Sequence, residues 1–164
     1  IISAILAAIA VPASLNLWNR IQLDNAQDLL LNAMRTAQTN AKRYGGSWVV
    51  IVTNGNGADQ PVQIDVQPST GEADCGPRRQ CSRTFVADSR IQVETSFNTT
   101  PPGDDIAIFN SKGEARNDNG QFVQGRFVAF RASQPTVTRC VFVSTILGGM
   151  RSSTDANDSS CVVP

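Results

Sequence analysis

The chain has 164 residues, 41% of them apolar and 17% charged, which is room for one ordinary domain. Fourteen Lys and Arg balance fourteen Asp and Glu, so a protein-wide basic field for gripping nucleic acid is excluded, though a local patch is not. There is no histidine, which excludes Ser-His-Asp and Cys-His catalysis, His-ligated zinc and a histidine pH switch.

The chain opens in an apolar run, Ile1, Ile2, Ser3, Ala4, Ile5, Leu6, Ala7, Ala8, Ile9, Ala10 and Val11. As helix these residues span about 16 Å, half the hydrocarbon core of a bilayer. A run that is apolar all round needs partners on every side, and one small domain does not supply them. The run is read as the second half of a longer apolar segment. Pro12 is expected to kink the helix or loosen its preceding turn. From Ser14 to Tyr44 the pattern is helical, with Ala26, Leu30, Ala33, Ala37, Ala41 and Tyr44 at spacings of three and four on one face. Lys42 and Arg43 suit a last turn, and Gly45-Gly46 is a stop. Residues 1–44 as one helix are about 66 Å long, so the first half is expected to protrude from the remainder. The small alanines let a sheet approach the helix axis closely.

Residues 45–164 read as β structure. Trp48–Val52 is a strand stopped by Asn54-Gly55-Asn56-Gly57. Val62, Ile64 and Val66 alternate with polar residues, as do Ile91, Val93 and Thr95. Ile106–Phe109 precedes a turn at Asn110–Gly113. Strands are also expected over 126–131 and 137–146. Residues 99–105 and 152–164 read as polar loops, and no internal repeat is evident. The architecture expected is α+β: a long protruding N-terminal helix packed on a meandering antiparallel sheet.

The cysteines are Cys75, Cys81, Cys140 and Cys161. Without a Cys-x-x-Cys pair, two disulfides in an oxidising compartment fit better than zinc or thioredoxin-type chemistry. Of three possible pairings, sequence distance favours Cys75 with Cys81 and Cys140 with Cys161; four buried free thiols is the alternative.

The run Ile1 to Pro12 resembles the second half of the type IV pilin N-terminal segment, and Leu30 to Ala41, with Ala33, Arg35, Ala37 and Ala41, resembles the second half of the pilin helix. The chain is most similar to the FimT/GspH branch, the H-type minor pilins and pseudopilins. That branch shows an apolar-Phe-x-x-x-Gly strand and turn, here Ile108 to Gly113, and ends in a Val-x-Val-Ser-x-x-Gly-Arg-x-Arg pattern. Here Cys140 to Ser144 leads to Gly148-Gly149-Met150-Arg151, so Gly149 stands where the first arginine would be. The resemblance implies a pilin-like fold and a subunit of a type IV pilus or type II secretion pseudopilus. The subunit would be held in the inner membrane before assembly, then in a helical homo- or heteropolymer of pilin subunits at the cell surface or in the periplasm. A minor pilin is expected ahead of a major one. The filament-core residues are then Ile1, Ile2, Ile5, Leu6, Ile9, Val11 and Pro12. Burying one Leu or Ile is worth about 1.5–3 kcal/mol, so this set can hold a subunit in a polymer even after ordering costs.

Some members of the branch bind DNA through the C-terminal arginines, which points to Arg139 and Arg151 here. Residues 45–164 carry ten basic and twelve acidic groups, and two or three phosphate contacts give only weak, salt-sensitive binding. DNA is therefore not favoured, and the arginines of Arg78-Arg79, Arg83, Arg139 and Arg151 are read as surface or intersubunit ion pairs. Asp104-Asp105 reads as a solvated turn or cap, not a shared-proton dyad. Asp155–Asp158 resembles a calcium loop but lacks its glycine and closing glutamate. No phosphate-binding glycine motif follows a strand. Neither an enzyme nor a cofactor is expected.

Overall fold

Gly45 and Gly46, with φ of 73° and 80°, end the one helix of the chain's described part, α1 (Ile2–Tyr44). Both sit in the left-handed region that costs a side-chain-bearing residue about 1–2 kcal/mol, so the double glycine stops the helix where the sequence indicated. The computed structural model describes residues 2–53, 61–69, 83–87, 91–95, 104–117, 119–123, 127–132 and 138–153; the side chains of 2–16 and of some strand residues lie outside that description. The helix runs through Pro12 as a single element.

Nine strands follow: β1 (Trp48–Thr53), β2 (Gln63–Pro68), β3 (Arg83–Val86), β4 (Ile91–Thr95), β5 (Asp104–Phe109), β6 (Ala115–Arg116), β7 (Phe127–Ala132), β8 (Thr138–Val143) and β9 (Met150–Ser153). They form two antiparallel sheets rather than the single meander expected. One has the order β3-β2-β1-β5-β6 and the other β4-β7-β8-β9. The chain crosses to the second sheet for β4, returns for β5 and β6, and crosses again for β7 to β9. Both sheets pack on α1, giving an α+β arrangement.

The core follows from the two periodicities. On the helix, Leu23, Ala26, Leu30, Ala33, Met34, Ala37 and Ala41 are buried. In β1, Trp48, Val50 and Val52 face the helix, and the register sets them beside Phe109, Ala107, Val66 and Ile64. In β8, Val141 and Val143 do the same, with Val128 of β7 opposite Val141. Four readings change. The strand expected over 137–146 ends at Val143, and Ser144 to Ile146 enter the β8–β9 turn. Tyr44 is exposed rather than part of the stripe, because the helix ends beside it. Asp104 and Asp105 open β5 opposite Thr53 and Val52 instead of lying in a loop. Ser152 and Ser153 belong to β9.

A short repeat of geometry also emerges. Asn110 and Asn117 each begin a turn of the form Asn-x-x-Gly-Glu/Gln. In both turns the glycine N–H donates to the asparagine carbonyl, at 2.8 and 3.0 Å. The asparagine Oδ1 accepts the N–H four residues on, at 3.0 and 2.8 Å. In the first turn the Asn110 amide and Arg116 hold the Glu114 carboxyl below the usual carboxylate range.

Candidate assembly interface

Two glutamines tie the helix to the sheets. Gln27 and Gln38 are eleven residues apart, about three turns, so they project from the same flank of α1. Gln27 is buried, and its Nε2 donates to the carbonyls of Cys140 (2.7 Å) and Ser153 (2.8 Å). These two residues face each other across β8 and β9. Gln38 Nε2 reaches the carbonyls of Gly113 (2.9 Å), Leu147 (3.0 Å) and Gly148 (3.1 Å). One side chain therefore joins the β5–β6 turn of one sheet to the β8–β9 turn of the other. The two turns touch directly: a Cβ on Gly148 would collide with the Gly113 carbonyl oxygen and stand 2.5 Å from Gln38 Nε2. The stretches Ile108–Gly113 and Gly148–Arg151, separate in sequence, are thus neighbours in space.

Replacing Gln27 by Leu keeps the side chain's bulk but leaves two carbonyls without their donor. A loss of about 2–4 kcal/mol is expected. Thermal melting should show it, with hydrogen exchange quickening first in β9.

The β8–β9 turn is held by hydrogen bonds and carries exposed apolar side chains. Ser144 N–H and Oγ both donate to the Gly149 carbonyl, at 2.7 and 2.9 Å. Gly149 N–H donates to Thr145 Oγ1 at 2.9 Å, and Gly148 N–H to the Thr145 carbonyl at 3.0 Å. On this frame Ile146 and Leu147 are 43% and 68% exposed.

Exposed apolar groups also mark the helix above the core. Leu17, Trp18 and Ile21 are exposed, Trp18 by 56%. Below Trp18 a groove of about 650 Å³ runs between the helix and the end of β3; its lining is mixed, apolar from Trp18, Ala26, Leu29, Val86 and Ala87 and polar from Asp28 and its amide neighbours on the helix.

The anticipated filament residues Ile2, Ile5, Leu6, Ile9, Val11 and Pro12 lie within α1; their side chains, and Ile1, fall outside the described residues. So do Cys75, Cys81, Cys161, Arg78-Arg79 and Asp155–Asp158, while Arg83 opens β3. Cys140 is buried and disulfide-bonded. Its register partner Ser153 leaves β9 eight residues before Cys161, which favours Cys161 as the other half. Mass spectrometry of unreduced peptides is expected to join Cys140 to Cys161 and Cys75 to Cys81. Cys161→Ser should then cost about 3 kcal/mol through its 20-residue loop.

Arg139 and Arg151 are not brought together. Arg139 shares the helix-facing side of β8 with Val141 and Val143, and its Nε donates to Asp24 Oδ1 at 2.6 Å. Arg151 lies opposite Phe142 on the other face, its guanidinium 4.9 Å from the ring centroid. A nucleic acid cannot meet both from one side. A gel shift at low micromolar protein and physiological salt is expected to show no retained DNA.

Among the described residues no group of His, Cys, Asp and Glu could hold a metal ion, and no helix is long and apolar enough to cross a membrane. No protein-family model, characterised protein or solved structure matches the chain.

Proposed function

We propose that the chain is a structural subunit of a type IV pilus or type II secretion pseudopilus, assembling through the apolar first half of α1. One observation carries this reading. The helix continues for 21 residues before Leu23, the first buried side chain among those described. At about 64 Å it exceeds the roughly 35 Å diameter of a 120-residue body. Its exposed Leu17, Trp18 and Ile21 follow the apolar run 1–11 in sequence, so nearly half of the helix precedes the first described side chain that its own sheets bury, and that half is largely apolar in sequence. Side-by-side packing of many such helices would bury that surface in the absence of lipid. Before assembly the inner membrane would cover it.

The resemblance favours a minor subunit. The exposed Ile146–Leu147 turn and the groove below Trp18 favour a second reading, the repeating major subunit, because the turn is tied to Gln38 and the groove is lined by Leu29, nine residues away on the opposite side of α1. Shearing cells that produce the protein should release it with the filament fraction. Recovery only with membranes or soluble protein would argue against the filament role.

A further inference from the structure

We propose that the Ile146–Leu147 knob of one subunit seats in the Trp18–Leu29–Val86 groove of a second copy of this chain. This contact rests on the filament reading and gives it a specific side-to-side joint. The argument starts from placement on the helix. The knob is fixed to Gln38 through the carbonyls of Leu147 and Gly148. Leu29, in the groove, is nine residues from Gln38, which is two and a half helical turns. Knob and groove therefore face opposite sides of α1. The groove's helical residues centre near Asn25, some 13 residues above Gln38, a displacement of about 20 Å along the axis.

That geometry decides the kind of assembly. Two surfaces that differ, face apart and are axially offset cannot pair by a twofold axis of the same patch. Each copy would offer a free knob to one neighbour and a free groove to another, and repetition gives an open polymer. The chemistry matches at both ends. The knob is two aliphatic side chains on a turn already fixed by hydrogen bonds, so little ordering is left to lose on docking. The groove offers Trp18, Leu29, Val86 and Ala87 to those side chains, in a volume large enough to admit them, and its polar residues Gln22, Asn25 and Asn32 are left to meet the polar Ser144 and Thr145 of the same turn. Charge agrees: exposed Lys112 stands in the β5–β6 turn whose Gly113 touches the knob's Gly148, the exposed Lys42 side chain of α1 lies against that same Gly113, and exposed Asp28 lines the groove.

The test uses the complete protein in producing cells, with a photo-crosslinking amino acid in place of Leu147. Irradiation is expected to give a ladder of dimer, trimer and higher bands. Its crosslinked tryptic peptides should join residue 147 to peptide 21–35 or 84–90 of another copy. Val86→Glu, a change at an exposed site, should weaken the ladder tenfold or more. Electron microscopy of the same cells reads filaments independently. Filaments with no ladder, or with a ladder indifferent to Val86→Glu, would overturn the contact and leave the filament role standing. A single dimer band with 147-to-147 peptides would show a closed pair, and crosslinks to a different protein would show a different occupant; either overturns the proposal. Absence of filaments together with absence of the ladder would remove both.

Discussion

Ile5→Asp or Ile9→Asp is expected to abolish filament incorporation while the β body stays folded. In the proposed filament these positions lie among packed apolar helices, where an unpaired carboxylate costs several kcal/mol or is forced to protonate. At one such cost per subunit, incorporation falls by about two to three powers of ten or more. The body is not expected to respond, because Leu23 is the first buried side chain among those described, more than three turns further along the helix. Cell fractionation with antibody detection checks both halves: mutant protein in the membrane at normal amounts, none in sheared filaments. Normal incorporation of both variants would remove the N-terminal half from the assembly mechanism.

Gly148→Ala is expected to be the most damaging single-methyl change in the body. Gly148 has φ +74°, and its added carbon would overlap the Gly113 carbonyl and crowd Gln38 Nε2. The left-handed backbone alone costs about 1–2 kcal/mol and overpacking about 1–3. A loss of about 3 kcal/mol lowers the melting temperature by roughly 6–12 °C for a domain of this size. Gly120 has the same sign of φ with nothing near its Cβ, so Gly120→Ala should cost only the backbone term. A similar loss for both would mean that the junction of the two turns contributes nothing.

The helix and its packed face were legible because alanine and leucine recur at helical spacing and two glycines stop the run. The long strands were legible from alternation. The short edge strands were not. Met150–Ser153 has no apolar alternation, and Ala115–Arg116 is only two residues long; both exist because neighbours supply the pairing. The second sheet was hidden because alternation marks a strand but not its partner. Gln27 and Gln38 were missed since a polar residue near an apolar stripe is ordinary, although their eleven-residue spacing was a usable signal. The knob also had a signal: Ile146-Leu147 is an apolar pair inside a Ser-Thr to Gly-Gly turn, where solvated residues are the rule. Arg139 and Arg151 could not be separated by sequence, because only the register places them on opposite faces of one sheet.

In the proposed filament many copies of this helix pack together. Cryo-electron microscopy of filaments from cells producing the protein tests it most directly. The expected filament has α1 of this chain along its interior, with residues 1–16 against neighbouring helices and the two β-sheets outside. Filaments that contain the chain with its helix start facing solvent, or filaments built without it, would exclude assembly through this helix.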